Sequence, residues 1–130
     1  MVKRTLPLRH NGVTLRVPVR FDSAANIGAF YTHMNAVIKW EKGMQEHQTD
    51  EMAVAYGRAI TALYELVFGQ GWARQIDVLY GNDVQSMVTA VNPFIARYVV
   101  PDVQHCSAVN RERARKQFLR ARKKAVRAAL

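Results

Sequence analysis

This 130-residue chain has one cysteine and no long apolar run, and each shortage closes a possibility. Cys106 has no second thiol to pair with, so an intrachain disulfide is excluded and nothing asks for an oxidising compartment. With His105 it makes a pair of potential metal donors where zinc needs about four, so no metal is expected. No stretch reaches the ~18 apolar residues of a membrane span. The longest candidate, MVTAVNPFIARYVVP, is broken by Asn92, Pro93 and Arg97. The N-terminal MVKRTLPLRHNG has no apolar segment with a small-residue cleavage site, so a soluble, intracellular protein is expected.

Acidic residues are scarce in one place. Residues 111–130 hold nine Lys/Arg and a single Glu, a net +8, whereas the first 110 residues hold ten basic and nine acidic groups. The overall +9 is therefore a basic tail on a nearly neutral body. The expected division is one α-rich domain over 1–110, with a β-hairpin at 5–21, and a basic helical extension over 111–130.

Periodicity supplies the elements. Val13, Leu15, Val17, Val19 and Phe21 alternate with polar residues, Leu6 and Leu8 precede them, and Asn11-Gly12 suits a type I′ turn between two strands. Pro7 and Pro18 make at least one side of this hairpin an edge, and its pairing with another copy is one way to stabilise it. After Phe21-Asp22-Ser23 the period becomes 3.6. Asp22 or Ser23 can cap a helix with the stripe Ile27, Phe30, Tyr31, Met34, Val37 and Ile38. Residues 41–48 read as a polar connection. A second helix from Thr49 or Asp50 carries Met52, Tyr56, Ala59, Ile60, Leu63, Leu66 and Val67. A short third helix carries Trp72, Ile76, Leu79 and Tyr80. The fourth, capped by Asn82 with Gln85 reaching back, carries Val84, Met87, Val88, Val91, Phe94, Ile95 and Tyr98. Pro93 predicts a kink and Pro101 an end to that helix. The fold class expected is mainly α: a small bundle of four to five helices with an N-terminal β-hairpin.

Chemistry finds little support. Phe68-Gly69-Gln70-Gly71 lacks the G-x-G-x-x-G and P-loop spacings and follows a helix where both motifs need a strand. It reads instead as a joint: Phe68, Gly69 and Gly71 let the chain leave one helix for the next, Trp72 anchors the short segment in the core, and Gly81-Asn82 turns it again. His10, His33 and His47 have no evident carboxylate partner, and Ser23, Ser86 and Ser107 lie in no nucleophile elbow. The aromatics fall at helical spacing, as core residues do. No catalytic residue, cofactor or metal is expected, and the chain does not read as an enzyme. The tail admits two readings. Arg111, Arg115, Phe118, Leu119, Arg122 and Val126 could dock on an acidic or amphipathic partner helix, or the cations could hold nucleic acid through its phosphates.

From HNGVTLRVPVRFDSA to Pro101 the chain resembles the tail assembly chaperones of long-tailed bacteriophages of Gram-positive hosts. The resemblance rests most on ITALYELVFGQGWARQIDVLYGNDVQSMVTAVNPFI, where Phe68-Gly69, Gly71 and Tyr80-Gly81-Asn82 match the family's helix–Gly–short segment–Gly-Asn–helix order. It implies a small helical, self-associating protein, not an enzyme, that binds the tape measure protein and shields its apolar helical surface before the tail tube forms around it. It implies action in the host cytoplasm and absence from the mature virion. In the family a frameshifted C-terminal extension often recruits the tail tube protein, which would be a second partner here. The basic tail departs from the family pattern. The competing class is a small nucleic-acid-associated protein or regulator using the 111–130 helix. Against it, residues 49–80 hold two helices around a Gly turn, but the second presents only Arg74 and Gln75 as base readers. A head–tail connector component is a weaker third reading.

Overall fold

Asn11 and Gly12 both take positive φ, 50° and 80°, which makes the tight turn that the alternating residues on either side require. In the computed structural model, which describes residues 4–81 and 83–129, β1 (Thr5–His10) pairs antiparallel with β2 (Val13–Pro18). Leu6 lies opposite Val17 and Leu8 opposite Leu15, so these residues share the buried face, while Val13 beside the turn stays exposed. Alternate pairs counted from a two-residue turn exchange hydrogen bonds, beginning with His10 and Val13. Pro7 and Pro18 therefore occupy positions whose N–H would point away from the partner strand. They cost this ladder nothing, and each removes a donor from an outer edge, which discourages pairing with a further strand. The hairpin is tied to the helices by the Arg20 N–H, which donates to the Val67 carbonyl at 3.0 Å near the end of helix Asp50–Phe68.

Asp22 turns the chain without capping the next helix. Its carboxylate accepts from the Ala24 and Ala25 N–H groups at 3.1 and 3.3 Å, and α1 (Ile27–Glu46) begins after Asn26 with no side-chain cap. Phe30 and Val37 are its buried contacts; Tyr31 and Ile38, expected on the same inner stripe, are exposed because α1 packs chiefly against one other helix. The polar connection expected at 41–48 shrinks to residues 47–49. Glu, Lys, Gln and Met extend the helix readily, and Met44 still packs on the core.

α2 (Asp50–Phe68) starts as its sequence requires, with Thr49 Oγ1 accepting the Met52 N–H at 3.2 Å and Asp50 and Glu51 in the first turn. Beyond the expected stripe, Tyr64 and Phe68 are also fully buried, so α2 is covered on more than one side. Gly69 alone joins it to α3 (Gln70–Tyr80). Its φ of 90° and ψ of 157° lie in a region that side chains exclude, and its N–H and carbonyl bond to Glu65 and Ala73. Gly71 is an ordinary exposed residue in the first turn of α3, not a second hinge, and Trp72 is only half-buried; Ala73, Ile76 and Tyr80 anchor this helix instead. Gly81, at φ 59°, makes the next turn. Asn82 lies outside the described residues, and the cap expected of it is supplied by Asp83, whose carboxylate accepts from the Ser86 N–H at 3.1 Å and Oγ at 2.7 Å.

Neither Pro93 nor Pro101 breaks the helical path. α4 (Val84–Phe94), a π turn (Ile95–Val99) and α5 (Val100–Ala129) form one unbroken helical rod. At the π turn the Val100 N–H reaches back five residues to the Ile95 carbonyl, which inserts one residue into the ladder. Pro101, the very next residue, then lacks a donor where the ladder is already out of its α register. Met87, Val91, Ile95, Val99 and Val103 are all buried at four-residue spacing. On an ideal helix such a stripe drifts by roughly 40° per step, and the wider π turn removes part of that drift. Past Val103 no described side chain is buried, and from Ala108 to Ala128 all are exposed.

Tyr64 Oη donates to Asn92 Oδ1 at 2.6 Å and pins α2 to the rod. Burial, helped by the neighbouring Tyr56 and Tyr80 phenols, holds the Tyr64 phenol far above its usual range. Tyr64→Phe is expected to lower the unfolding free energy by about 1–2 kcal/mol in a urea titration at pH 7. Because the folded pKa is the raised one, the stability tied to the neutral phenol is complete below pH about 10 and drains away as pH rises beyond it. The Phe variant should show a shallower alkaline loss.

Candidate functional site

Small and short side chains on one side of α2 leave it partly uncovered. Val54, Gly57, Thr61 and Ala62 follow one another along that side, and α3, with eleven residues against nineteen in α2, does not reach the first of them. Val84 and Met87 of α4 close the far wall. The result is a groove of two adjoining pockets, about 300 and 420 Å³, which share Thr61, Glu65, Asp77 and Met87. Its surface is apolar where Val54 (55% exposed), Ala62, Val84 and Met87 meet, and its rim carries two cations, Arg58 and Arg74, facing two anions, Glu65 and Asp77. None of these rim charges is within ion-pair distance of another; among the described residues the one ion pair joins Arg115 to Glu112 at 3.3 Å.

Gly57 is the most informative residue of the groove. It sits inside a helix with ordinary helical φ, and a Cβ built on it would meet nothing within 4 Å. A mid-helix glycine costs roughly 0.5–1 kcal/mol relative to alanine, and no neighbour in the chain requires its bareness. Sequence pattern marks neither Gly57 nor Thr61 as part of a site, and it assigns Val84 and Met87 to the core. A glycine in the middle of the strongest helical stripe is the one available signal, since the groove itself draws on three elements.

Three further polar groups make contacts of a structural kind. His10 stacks on the Tyr80 ring with centroids 4.6 Å apart. Asp83 is held below the usual carboxylate range by the side-chain and backbone hydrogen bonds from Ser86, which is the signature of a helix cap. Arg4 lies over the Tyr98 ring at 4.4 Å and fastens the start of the hairpin to the π turn. No three His, Cys, Asp or Glu side chains gather as a metal site among the described residues.

The six tail residues singled out by sequence, Arg111, Arg115, Phe118, Leu119, Arg122 and Val126, lie together along one side of α5 and are all exposed. At roughly 100° per residue they span about a quarter of the helix circumference, with cations and apolar groups interleaved. They are far from the joint residues Phe68, Gly69, Gly71, Trp72 and Gly81 in the chain, and belong to a separate surface.

Compared with protein-family models, with curated proteins and with solved structures, the chain matches none.

Gly57→Ala is expected to raise the unfolding free energy by about 0.5–1 kcal/mol, read from the urea midpoint at unchanged slope. Destabilisation by this substitution would mean that the groove floor is closed in solution.

Proposed function

We propose that the chain is a tail assembly chaperone that holds helical segments of a tape measure protein in the groove along α2. The observation that carries the reading is the open groove itself: an apolar floor with a bare glycine, walls from two helices, and a rim with charges of both signs left unpaired. A helical client needs such a trough, with apolar anchors at i, i+3/i+4 and i+7 lying on the floor and polar flanks meeting the rim. The sequence resemblance supplies the class of client, and the groove is consistent with it. Met87 adds an adaptable side chain, as suits successive segments of a long client that differ in shape.

Self-association belongs to the same reading, since a long client is coated by many copies. The outward-facing Pro7 and Pro18 make strand pairing a poor route. Tyr31 and Ile38, seven residues apart on the outer side of α1 and 38% and 48% exposed, offer a helix–helix contact instead. Shielding of the client would take place in the host cytoplasm, before the tube encloses it.

Co-expression with the products of the neighbouring genes tests the reading, with a tagged tape measure protein as bait. The native chain should be captured and keep the bait in the soluble fraction. Gly57→Leu, helix-compatible and projecting into open space, should fold normally and lose at least about tenfold in affinity, 1.4 kcal/mol. The chain ending at Val109 should bind as well as the full chain. Capture that survives Gly57→Leu unchanged would move the client off the groove, and failure of the native chain to bind any tail protein would remove the chaperone reading altogether.

A further inference from the structure

The cationic helix is left without a task by the groove. From Ala108 to Ala128 every side chain of α5 is exposed, and among the described residues its nine cations meet a single acidic group, Glu112, which bonds only to Arg115. Two features decide what kind of partner fits. The first is the shortage of large apolar side chains. Phe118, Leu119 and Val126 are the only ones exposed along 111–128. Leu119 and Val126 share a side, but the positions that would continue their row toward the N-terminus are Glu112 and Arg115 or Lys116. A helix–helix seam needs an apolar anchor on every turn, and the turn between Leu119 and Val126 offers only Arg122 or Lys123 on that side.

The second feature is the placement of charge. At roughly 100° per residue, Ala114, Ala121 and Ala125 fall on one side with Phe118 at its margin. Arg111, Arg115 and Arg122 run along one flank of that side, and Arg113 and Lys124 along the opposite flank. A partner helix touches one narrow arc and would leave one flank of cations unpaired. A partner that presents anions on both sides of the helix at once would engage both.

We infer that α5 is a duplex-binding arm: its Ala114–Ala121–Ala125 side enters the major groove of double-stranded DNA, and the flanking cations reach the phosphates on the two walls. The dimensions agree. An α-helix with side chains is about 10–12 Å across, and the major groove of B-DNA is about 12 Å wide. The 18 residues of 111–128 extend over about 27 Å, a length of duplex that carries about 16 phosphate charges. Small alanines let the helix axis approach the groove floor. The tail contains no Asn and a single Gln, Gln117, so its contacts are mainly to the backbone and largely independent of base sequence. The inference stands apart from the chaperone reading, because the groove along α2 and the exposed length of α5 are different surfaces of the chain.

Fluorescence anisotropy with a labelled 20-base-pair DNA duplex tests it on the full chain. With the five flanking cations engaged and Lys116, Arg120, Lys123 and Arg127 pointing away from the groove, log affinity should fall against log salt with a slope of about −4 to −5, a loss of about 500-fold between 50 and 200 mM. The chain ending at Val109, checked for unchanged melting by circular dichroism, should bind at least about 100-fold more weakly. In the full chain, Arg111→Gln, Arg122→Gln and Lys124→Gln together should flatten the slope by about 3. Ala121→Glu, which sets an anion on the seating side and leaves the cations in place, should weaken binding by about tenfold or more. Two competitors at matched charge, poly-glutamate and vesicles of phosphatidylserine with phosphatidylcholine, identify the class of partner. A duplex preference of tenfold or more over both supports the inference. Equal competition by poly-glutamate assigns the helix to an acidic protein surface, equal competition by vesicles assigns it to a membrane surface, and either result overturns it. So does duplex binding that survives removal of residues 110–130.

Discussion

Each element of the body is placed by the side of α2 that it covers. Ile60, Leu63, Tyr64, Val67 and Phe68 are all at most 2% exposed, and no single neighbour could hide that many side chains around a helix. α1 covers one side as an antiparallel partner, the hairpin caps the C-terminal end through the Arg20–Val67 bond, and the rod closes the Tyr64 side through Asn92. At roughly 1.5–3 kcal/mol for each fully buried large apolar side chain, this one helix holds a large share of the apolar burial. The turn at Gly69 arises from the same constraint. Phe68 must stay inside while the chain reverses at once into α3, and only a residue without Cβ accepts the backbone angles that allow it.

Periodicity makes the hairpin, the stripe of α2 and the Thr49 cap legible, because each is encoded within a few residues of itself. Expectation and structure part where distant stretches of the chain decide. Tyr64 and Phe68 are buried as their aromatic character suggests, but they lie off the main stripe of α2, and the second layer that covers them comes from distant parts of the chain. Tyr31 and Ile38 repeat with Phe30 and Val37, yet their side of α1 stays open to solvent, at 38% and 48% exposure. Pro101 reads locally as a stop. Five buried residues at four-residue spacing favour one continuous helix instead, and the π turn beside Pro101 makes its missing donor tolerable. As for the candidate surfaces, the charge of the tail is countable from sequence, whereas the groove is not, since α2, α3 and α4 each supply only part of it.

The two surfaces obey different physics. The groove rim is balanced in charge, so attraction there depends on short-range fit and apolar contact, which salt alters little. The tail concentrates a net +8 over 20 residues, so its attraction reaches about a Debye length, roughly 8 Å at physiological ionic strength, and weakens steeply as salt rises. Placing that charge on the body instead would set long-range repulsion against the self-association proposed for coating a client. On a helix that projects beyond the last buried residue, Val103, the cations can extend past the body and leave its neutral sides free to meet.

A projecting helix of this composition would fray if it stood alone, since like charges three and four residues apart repel along its whole length. Arg111 and Arg115, Arg113 and Lys116, Arg120 and Lys123 or Lys124, and Lys123 and Arg127 are all such pairs, with Glu112 the only relief. What favours its order is the rod behind it. Nucleating a helix is the costly step, and α5 inherits a nucleus from buried turns at Ile95, Val99 and Val103, so each added residue costs only propagation. Alanine, arginine and lysine, the main constituents of 111–128, are among the residues for which propagation is easiest. The π turn is therefore more than an irregularity. It keeps α4 and α5 in one ladder past two prolines, and that continuity is what presents the cations as a helix instead of a disordered basic tail.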